Sequence, residues 1–182
     1  MNLGGVVASA MGEMQNRRLQ SLYQKDFIAW QADVLGIRTY EKMEDILNTA
    51  MFGEIPRTAI KSSNGTSKSY SVSASVLWTG AVFDPGEALA IVSAPSQAQI
   101  EKVTFRYLKS FKARAADRGF VLPGTINESL EWWVPGPEGK LVLAYGRKPA
   151  AGQEVSTFQG IRSEHGKTFV YFDEAGGMSR GM

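Results

Sequence analysis

Lys68-Ser69 closes a polar run of small residues, Ile60-Lys61-Ser62-Ser63-Asn64-Gly65-Thr66-Ser67. The spacing is that of a nucleotide-binding phosphate loop, G-x-x-x-x-G-K-[ST]. In such a loop backbone N–H groups wrap the phosphates, the lysine reaches the β- and γ-oxygens, and the hydroxyl ligates Mg²⁺. Here Ser62 and Ser67 stand at the two glycine positions, and Gly65 is the glycine left inside the loop. Serine is small enough for close approach, but it carries a steric penalty wherever the backbone needs φ > 0. Read without context, the segment also fits a polar surface turn built on Asn64-Gly65.

A second segment supplies the matching chemistry. Lys167-Thr168-Phe169-Val170-Tyr171-Phe172 is β-branched and aromatic, reads as a buried strand, and runs into Asp173-Glu174-Ala175. An aspartate at such a strand end can hold Mg²⁺, and the glutamate after it can activate an attacking water. A strand entering an ordinary acidic turn would look the same. The two segments in this order, each at a strand end, point to a Mg²⁺–nucleotide site.

Composition narrows the alternatives. At 182 residues and 43% hydrophobic, the chain is long enough for a sizeable core, and no apolar run reaches membrane-span length. The start, Met1 to Met11, lacks the basic lead-in of a signal peptide. With no cysteine and a lone histidine, His165, disulfides, thiolate metal sites and histidine-based triads are excluded. The net charge of +2 does not announce a nucleic-acid partner, but its distribution is uneven. Lys102, Arg106, Lys109, Lys112, Arg114 and Arg118 stand against Glu101 and Asp117 between Gln97 and Gly119. They fit a solvated helix face or a DNA-facing one equally well.

The elements that must position these groups follow from periodicity and caps. Gly12 to Gln24 reads as a helical arm, so residues 1–25 are set apart from a domain spanning 26–182. Asp26 caps a helix from Phe27 to Leu35 that Gly36 ends, and a second helix runs from Tyr40 to Met51. Arg57 to Lys61 is the expected strand into the phosphate loop. Tyr70 to Val76 alternates like a strand, yet Val72 and Val76 are spaced for a helix, and a phosphate loop must open one. Lys68 to Thr79 is therefore expected to be helical. Glu87 to Ser93 reads as a strand, and Gln97 to Ala116 as an amphipathic helix with Ile100, Val103, Tyr107, Leu108 and Phe111 on its apolar stripe. Asn127 to Val134 and Lys140 to Tyr145 form a hairpin across a longer loop, Pro135 to Gly139, with Trp132 and Trp133 on opposite faces. The order predicts an α/β fold: a mostly parallel sheet flanked by helices, with an antiparallel hairpin and the site at the carboxyl ends of the strands.

Four segments together resemble a known family: Ile60 to Ser69, Val92-Ser93-Ala94-Pro95-Ser96-Gln97-Ala98-Gln99, Phe158-Gln159-Gly160-Ile161-Arg162, and Val170 to Ala175. Over residues 27–178 the chain is similar to the ATPase domain of the terminase large subunit, the motor that packages DNA into tailed-phage capsids. The resemblance implies a P-loop NTPase fold of the RecA-like kind, with ATP and Mg²⁺ as ligands. It assigns phosphate binding to Ser62, Ser63, Asn64, Gly65, Thr66, Ser67, Lys68 and Ser69, and metal binding to Ser69 and Asp173. Glu174 would polarise the attacking water. Arg162 and Arg147 are the candidates for the arginine that steadies transition-state charge, with Arg118 a third. Met43 falls near the place where relatives read adenine with a glutamine, and Gln31 is the substitute candidate. The implied partners are double-stranded DNA, a portal protein, a small terminase subunit and further copies in a ring. The implied setting is the host cytoplasm, transiently at the procapsid portal, without a membrane.

The family's closing strands, coupling motif and nuclease domain would follow the acidic segment, so the chain is expected to be a fragment or split polypeptide. Asp173-Glu174-Ala175 also resembles the box of DExD-type helicases, whose second motor domain has no counterpart here. The competing function is a binding or assembly module. In that reading the serine-substituted loop no longer hydrolyses ATP, and the basic helix, the tryptophan hairpin and the N-terminal arm dock DNA or a partner.

Overall fold

Two helices are fixed by their own termini in the first of two compact units, which end and begin at Ile60 and Lys61. The computed structural model describes residues 20–54, 57–61, 67–149 and 166–174. Helix α1 (Phe27–Leu35) starts where the Asp26 carboxylate accepts the Ala29 N–H at 2.8 Å. It stops at Gly36, whose left-handed backbone (φ 62°) lets its N–H donate to Ala32 O. Helix α2 (Glu41–Phe52) has acidic residues Glu41 and Glu44 in its first turn, where they complement the positive end of the helix dipole. Phe27, Trp30, Val34 and Leu35 of α1 and Met43 and Leu47 of α2 are buried. Both helices match their expected positions. Residues 20–23 are helical, and the rest of the expected arm lies outside the described residues.

In the second unit, helix α3 (Lys68–Val82) settles the conflict over Tyr70 to Val76. Its buried serines explain the ambiguous pattern. Ser73 Oγ donates to Ser69 O at 2.7 Å, Ser75 Oγ to Ser71 O at 3.0 Å, and Thr79 Oγ1 to Ser75 O at 3.0 Å. Each hydroxyl uses a carbonyl one turn back, so a polar face can be buried without orphaned groups. An extended segment offers no such acceptor.

Strand β1 (Ala88–Ser93) is buried throughout. A continuous helical stretch follows: α4 (Gln97–Gln99), a π-helical turn (Ile100–Phe105) and α5 (Arg106–Asp117). Ile100, Leu108 and Phe111 of the expected stripe are buried, while Val103 and Tyr107 are half-buried. The remaining strands are β2 (Thr125–Ile126), β3 (Glu131–Gly136), β4 (Gly139–Gly146) and β5 (Lys167–Phe172). Contrary to expectation β5 is not buried: it is last in the strand order, and Val170 and Phe172 are exposed, because among the described residues it has a neighbouring strand on one side only.

The sheet is mixed rather than mostly parallel, with strand order β2-β3-β4-β1-β5. β1 runs parallel to both β4 and β5, whereas β2 with β3 and β3 with β4 are antiparallel. The hairpin is not an appendage: its second strand is part of the main sheet. Its turn is also tighter than expected, because Gly136 pairs with Gly139 and leaves Pro137-Glu138 as the turn. β3 begins at Glu131, after the short strand β2, instead of at Asn127. Trp132 is buried and Trp133 half-buried, as period-2 alternation requires. A bulge between their pairings (Trp132 with Ala144, Trp133 with Val142) places Leu143 and Ala144 in succession in the core.

Arg57 to Lys61 is not a strand. The segment is exposed and belongs to no ladder, and its one large apolar residue, Ile60, gives it no face to bury. No helix among the described residues is long and apolar enough to cross a membrane.

Candidate functional site

Because β1, β4 and β5 are parallel, their carboxyl ends share one edge of the sheet. Backbone bonds hold that edge together. Asp173 N donates to Ser93 O at 2.9 Å, and Arg147 N to Val92 O at 2.9 Å. Three groups of side chains therefore emerge side by side: Ser96 to Gln99 after β1, Arg147 after β4, and Asp173-Glu174 after β5.

The start of α3 comes to the same edge. Ser69 Oγ donates to Asp173 Oδ1 at 3.0 Å, across 104 residues of sequence. Asp173 is 7% exposed, so a carboxylate has been drawn into the protein beside a hydroxyl and the first turn of a helix. That turn carries no acidic residue and no side-chain cap, so its positive dipole end is not offset by a carboxylate of its own. Lys68 opens the same turn. Ser67, just before it, has φ 61° and ψ 18°, the left-handed conformation that a glycine would adopt without strain.

Behind the edge, Tyr171 seals the contact between β5 and α3. Thr79 Oγ1 and Tyr171 Oη share a hydrogen bond at 3.0 Å, and Ser75 O is in reach of both hydroxyls, 3.0 Å from Thr79 Oγ1 and 3.4 Å from Tyr171 Oη. Burial pushes the Tyr171 phenol well above its ordinary ionisation range. Burial likewise pushes the Tyr145 phenol on β4 up to about 12, against the opposing influence of Arg147. Its hydroxyl, with Ser93 Oγ and Thr104 Oγ1, is buried without a hydrogen-bond partner.

No protein-family model matches this chain, and no curated protein or solved structure matches it either. The residues themselves must carry the reading.

Of the expected site residues, Ser69, Asp173, Glu174 and Arg147 stand at one edge, with Lys68 adjoining Ser69. Ser62, Ser63, Asn64, Gly65, Thr66 and Arg162 lie outside the described residues. Gln31, the candidate for reading a base, is 2% exposed and donates through Nε2 to Thr39 Oγ1 inside its own unit. Its amide is committed to holding the chain beyond α1.

The basic helix is mostly engaged within the protein. Lys109 pairs with Glu128 at 2.5 Å, and Lys112 Nζ donates to Leu122 O at 2.5 Å and Pro123 O at 2.7 Å. Arg106 lies over the Tyr107 ring, and Arg114 donates to Tyr70 Oη at 3.4 Å. Desolvation lowers the Lys112 pKa, in keeping with a structural lysine. Lys102 and Arg118 are exposed.

The resemblance took Ala94 to Gln99 only as a segment that couples nucleotide state to DNA, and the structure gives one of its side chains a specific contact. Gln99 Nε2 donates to Glu174 Oε2 at 2.6 Å. The available signal was the Ser96-x-x-Gln99 spacing of a capping box directly after a strand.

The donor set at Ser69 and Asp173 consists of hard oxygens. Mg²⁺ takes one or two protein oxygens together with waters and substrate phosphates. A hydroxyl and a carboxylate already within hydrogen-bond distance fit that demand, and the two would converge on a shared cation with little movement. No cluster of three or more acidic or histidine side chains suited to a metal on its own occurs among the described residues.

Proposed function

We propose that this chain is a Mg²⁺-dependent ATP hydrolase, the motor domain of a terminase large subunit that packages double-stranded DNA. The observation that carries this reading is the Ser69–Asp173 hydrogen bond. It joins the lysine–serine end of the loop to the acidic end of β5, the two pieces that phosphoryl transfer needs at one point.

In this reading the backbone at the start of α3 and the Lys68 ammonium bind the β- and γ-phosphates. Ser69 and Asp173 hold Mg²⁺, which neutralises phosphate charge when bound. Glu174 takes the proton of the attacking water as its oxygen bonds to the γ-phosphorus and the bond to the β-phosphate oxygen breaks, releasing ADP. Arg147, which follows β4, would steady the charge on the transferring group. The proposed setting is a ring of copies at a procapsid portal in the host cytoplasm, working with the portal protein and a small terminase subunit.

A second reading has an observation of its own. Phosphate loops follow a strand, and Arg57 to Lys61 is not one. This favours a loop that binds weakly or not at all, in a DNA- or partner-docking module.

Mg²⁺-dependent ATP binding and turnover, measured on wild type, Lys68→Ala and Glu174→Ala, separate the two. The motor reading expects Lys68→Ala to lose binding. Glu174→Ala should bind normally and turn over about 10²-fold or more slower. Identical behaviour of the three proteins refutes it and leaves the docking module.

A further inference from the structure

Gln99 is held from both sides. Its Oε1 accepts from Ser96 N at 3.1 Å and from Ser96 Oγ at 3.0 Å, while its own N–H donates to Ser96 Oγ at 3.2 Å. The Ser96 backbone N–H can only donate, so the amide oxygen must face it and Nε2 must face away. Nε2 is thereby aimed at Glu174, 2.6 Å from Oε2, across 75 residues of sequence. Glu174 itself has φ 54°, a left-handed conformation rare for a residue with a side chain. A strained backbone at the end of a strand persists where surrounding contacts over-determine it. The Gln99 amide is one such contact, and it leaves Oε1 of the carboxylate for another partner.

We propose that Gln99 is a positioning residue for Glu174: the capping box locks its amide, and the amide locks one carboxylate oxygen so that the other is presented to the attacking water. The inference rests on the ATP-hydrolase reading and gives Gln99, which the family resemblance placed only within a coupling segment, a role of its own toward Glu174. It also ties the carboxylate to the first turn of the helical stretch that leaves β1, so a displacement of that helix would displace Glu174.

Gln99→Glu tests this without dismantling the helix start. Serine with glutamate three residues on is the standard capping box, so the variant keeps the cap while replacing an N–H donor with a carboxylate oxygen. Positioning predicts that kcat falls about 10- to 100-fold with KM for ATP unchanged, the usual effect of misplacing a reacting group. It also predicts that the nucleotide-free Gln99→Glu protein unfolds at a lower urea concentration than wild type, because a hydrogen-bond donor is lost and a like charge gained. Adding Glu174→Gln, which offers an amide donor to the new carboxylate, should restore the unfolding midpoint in the double variant. Gln99→Ala, which loses both cap and donor, should share the fall in kcat.

Wild-type kcat and a wild-type unfolding midpoint in Gln99→Glu would overturn the inference and reduce Gln99 to a cap. A lowered midpoint restored by Glu174→Gln, with kcat unchanged in Gln99→Glu, would also overturn it, since the contact would exist without serving turnover. If wild type shows no Lys68-dependent hydrolysis, the functional reading falls and this role falls with it. An intact hydrolase with an indifferent Gln99→Glu sinks the positioning role alone.

Discussion

Replacing Ser67 by glycine should stabilise this protein. The residue before Lys68 has φ 61° and ψ 18°, where a Cβ crowds the following carbonyl at a cost of roughly 1–2 kcal/mol. Its side chain makes no hydrogen bond to the helix it precedes, so nothing local offsets the strain. Glycine removes the clash but gives the unfolded chain more freedom, which returns about 0.4–1 kcal/mol. The net expectation is a gain of about 0.5–1 kcal/mol, or about 1–4 °C in Tm for a chain of this size. Ser67→Val should move the other way by about 1–3 kcal/mol, because a β-branched side chain tolerates this region worst. Urea and thermal unfolding of the three proteins measure both shifts. A Ser67→Gly protein less stable than wild type, or a Ser67→Val protein equal to it, would refute a left-handed Ser67. The claim that this position is a glycine site occupied by serine would fall too.

Other expectations concern packing and pH. A Cβ on Gly80 of α3 would lie 2.3 Å from Trp132 Cζ3. Trp132 is pinned by its Nε1 bond to Pro123 O at 2.8 Å and by Lys112, 5.9 Å from its ring. Gly80→Ala should therefore cost about 1–2 kcal/mol in denaturant unfolding despite alanine's better helix propensity. Tyr145 and Tyr171 should respond in opposite ways to loss of the hydroxyl. Tyr145→Phe removes a buried, unpartnered oxygen and should be neutral or stabilising at pH 7, whereas Tyr171→Phe loses the bond to Thr79 and should cost about 1 kcal/mol. Both phenols ionise at higher pH in the folded than in the unfolded chain, so their contribution is whole below about pH 10 and is lost as pH rises further. Stability measured from pH 9 to 12 should accordingly fall less steeply in each Phe variant than in wild type.

How much could be read in advance differs by element. α1, α2, β1 and the extent of β5 were legible because caps, periodicity and strand composition are local signals: Asp26 and Gly36 bracket a helix whatever surrounds it. The exposure of β5 was not, since it depends on where the strand falls in the sheet order. The pairing of Ser69 with Asp173 was expected only as two motifs in order, and the fold supplies the 3.0 Å contact. Three features needed tertiary structure. The serines of α3 alternate like a strand, and only the carbonyl partners one turn back show why they are tolerated in a buried helix. Arg57 to Lys61 has strand-like residues but no ladder, and ladder pairing is a property of neighbours rather than of the segment. The role of Gln99 depends on where the chain after β5 ends up, and spacing within one segment cannot report a contact made 75 residues away. The sequence by itself determined the chemistry available: a lysine and hydroxyl after a small polar loop, two acids after a strand, and no thiol or histidine cluster to compete. Tertiary structure decided which of those groups meet, because strand order and parallel pairing set which ends share an edge.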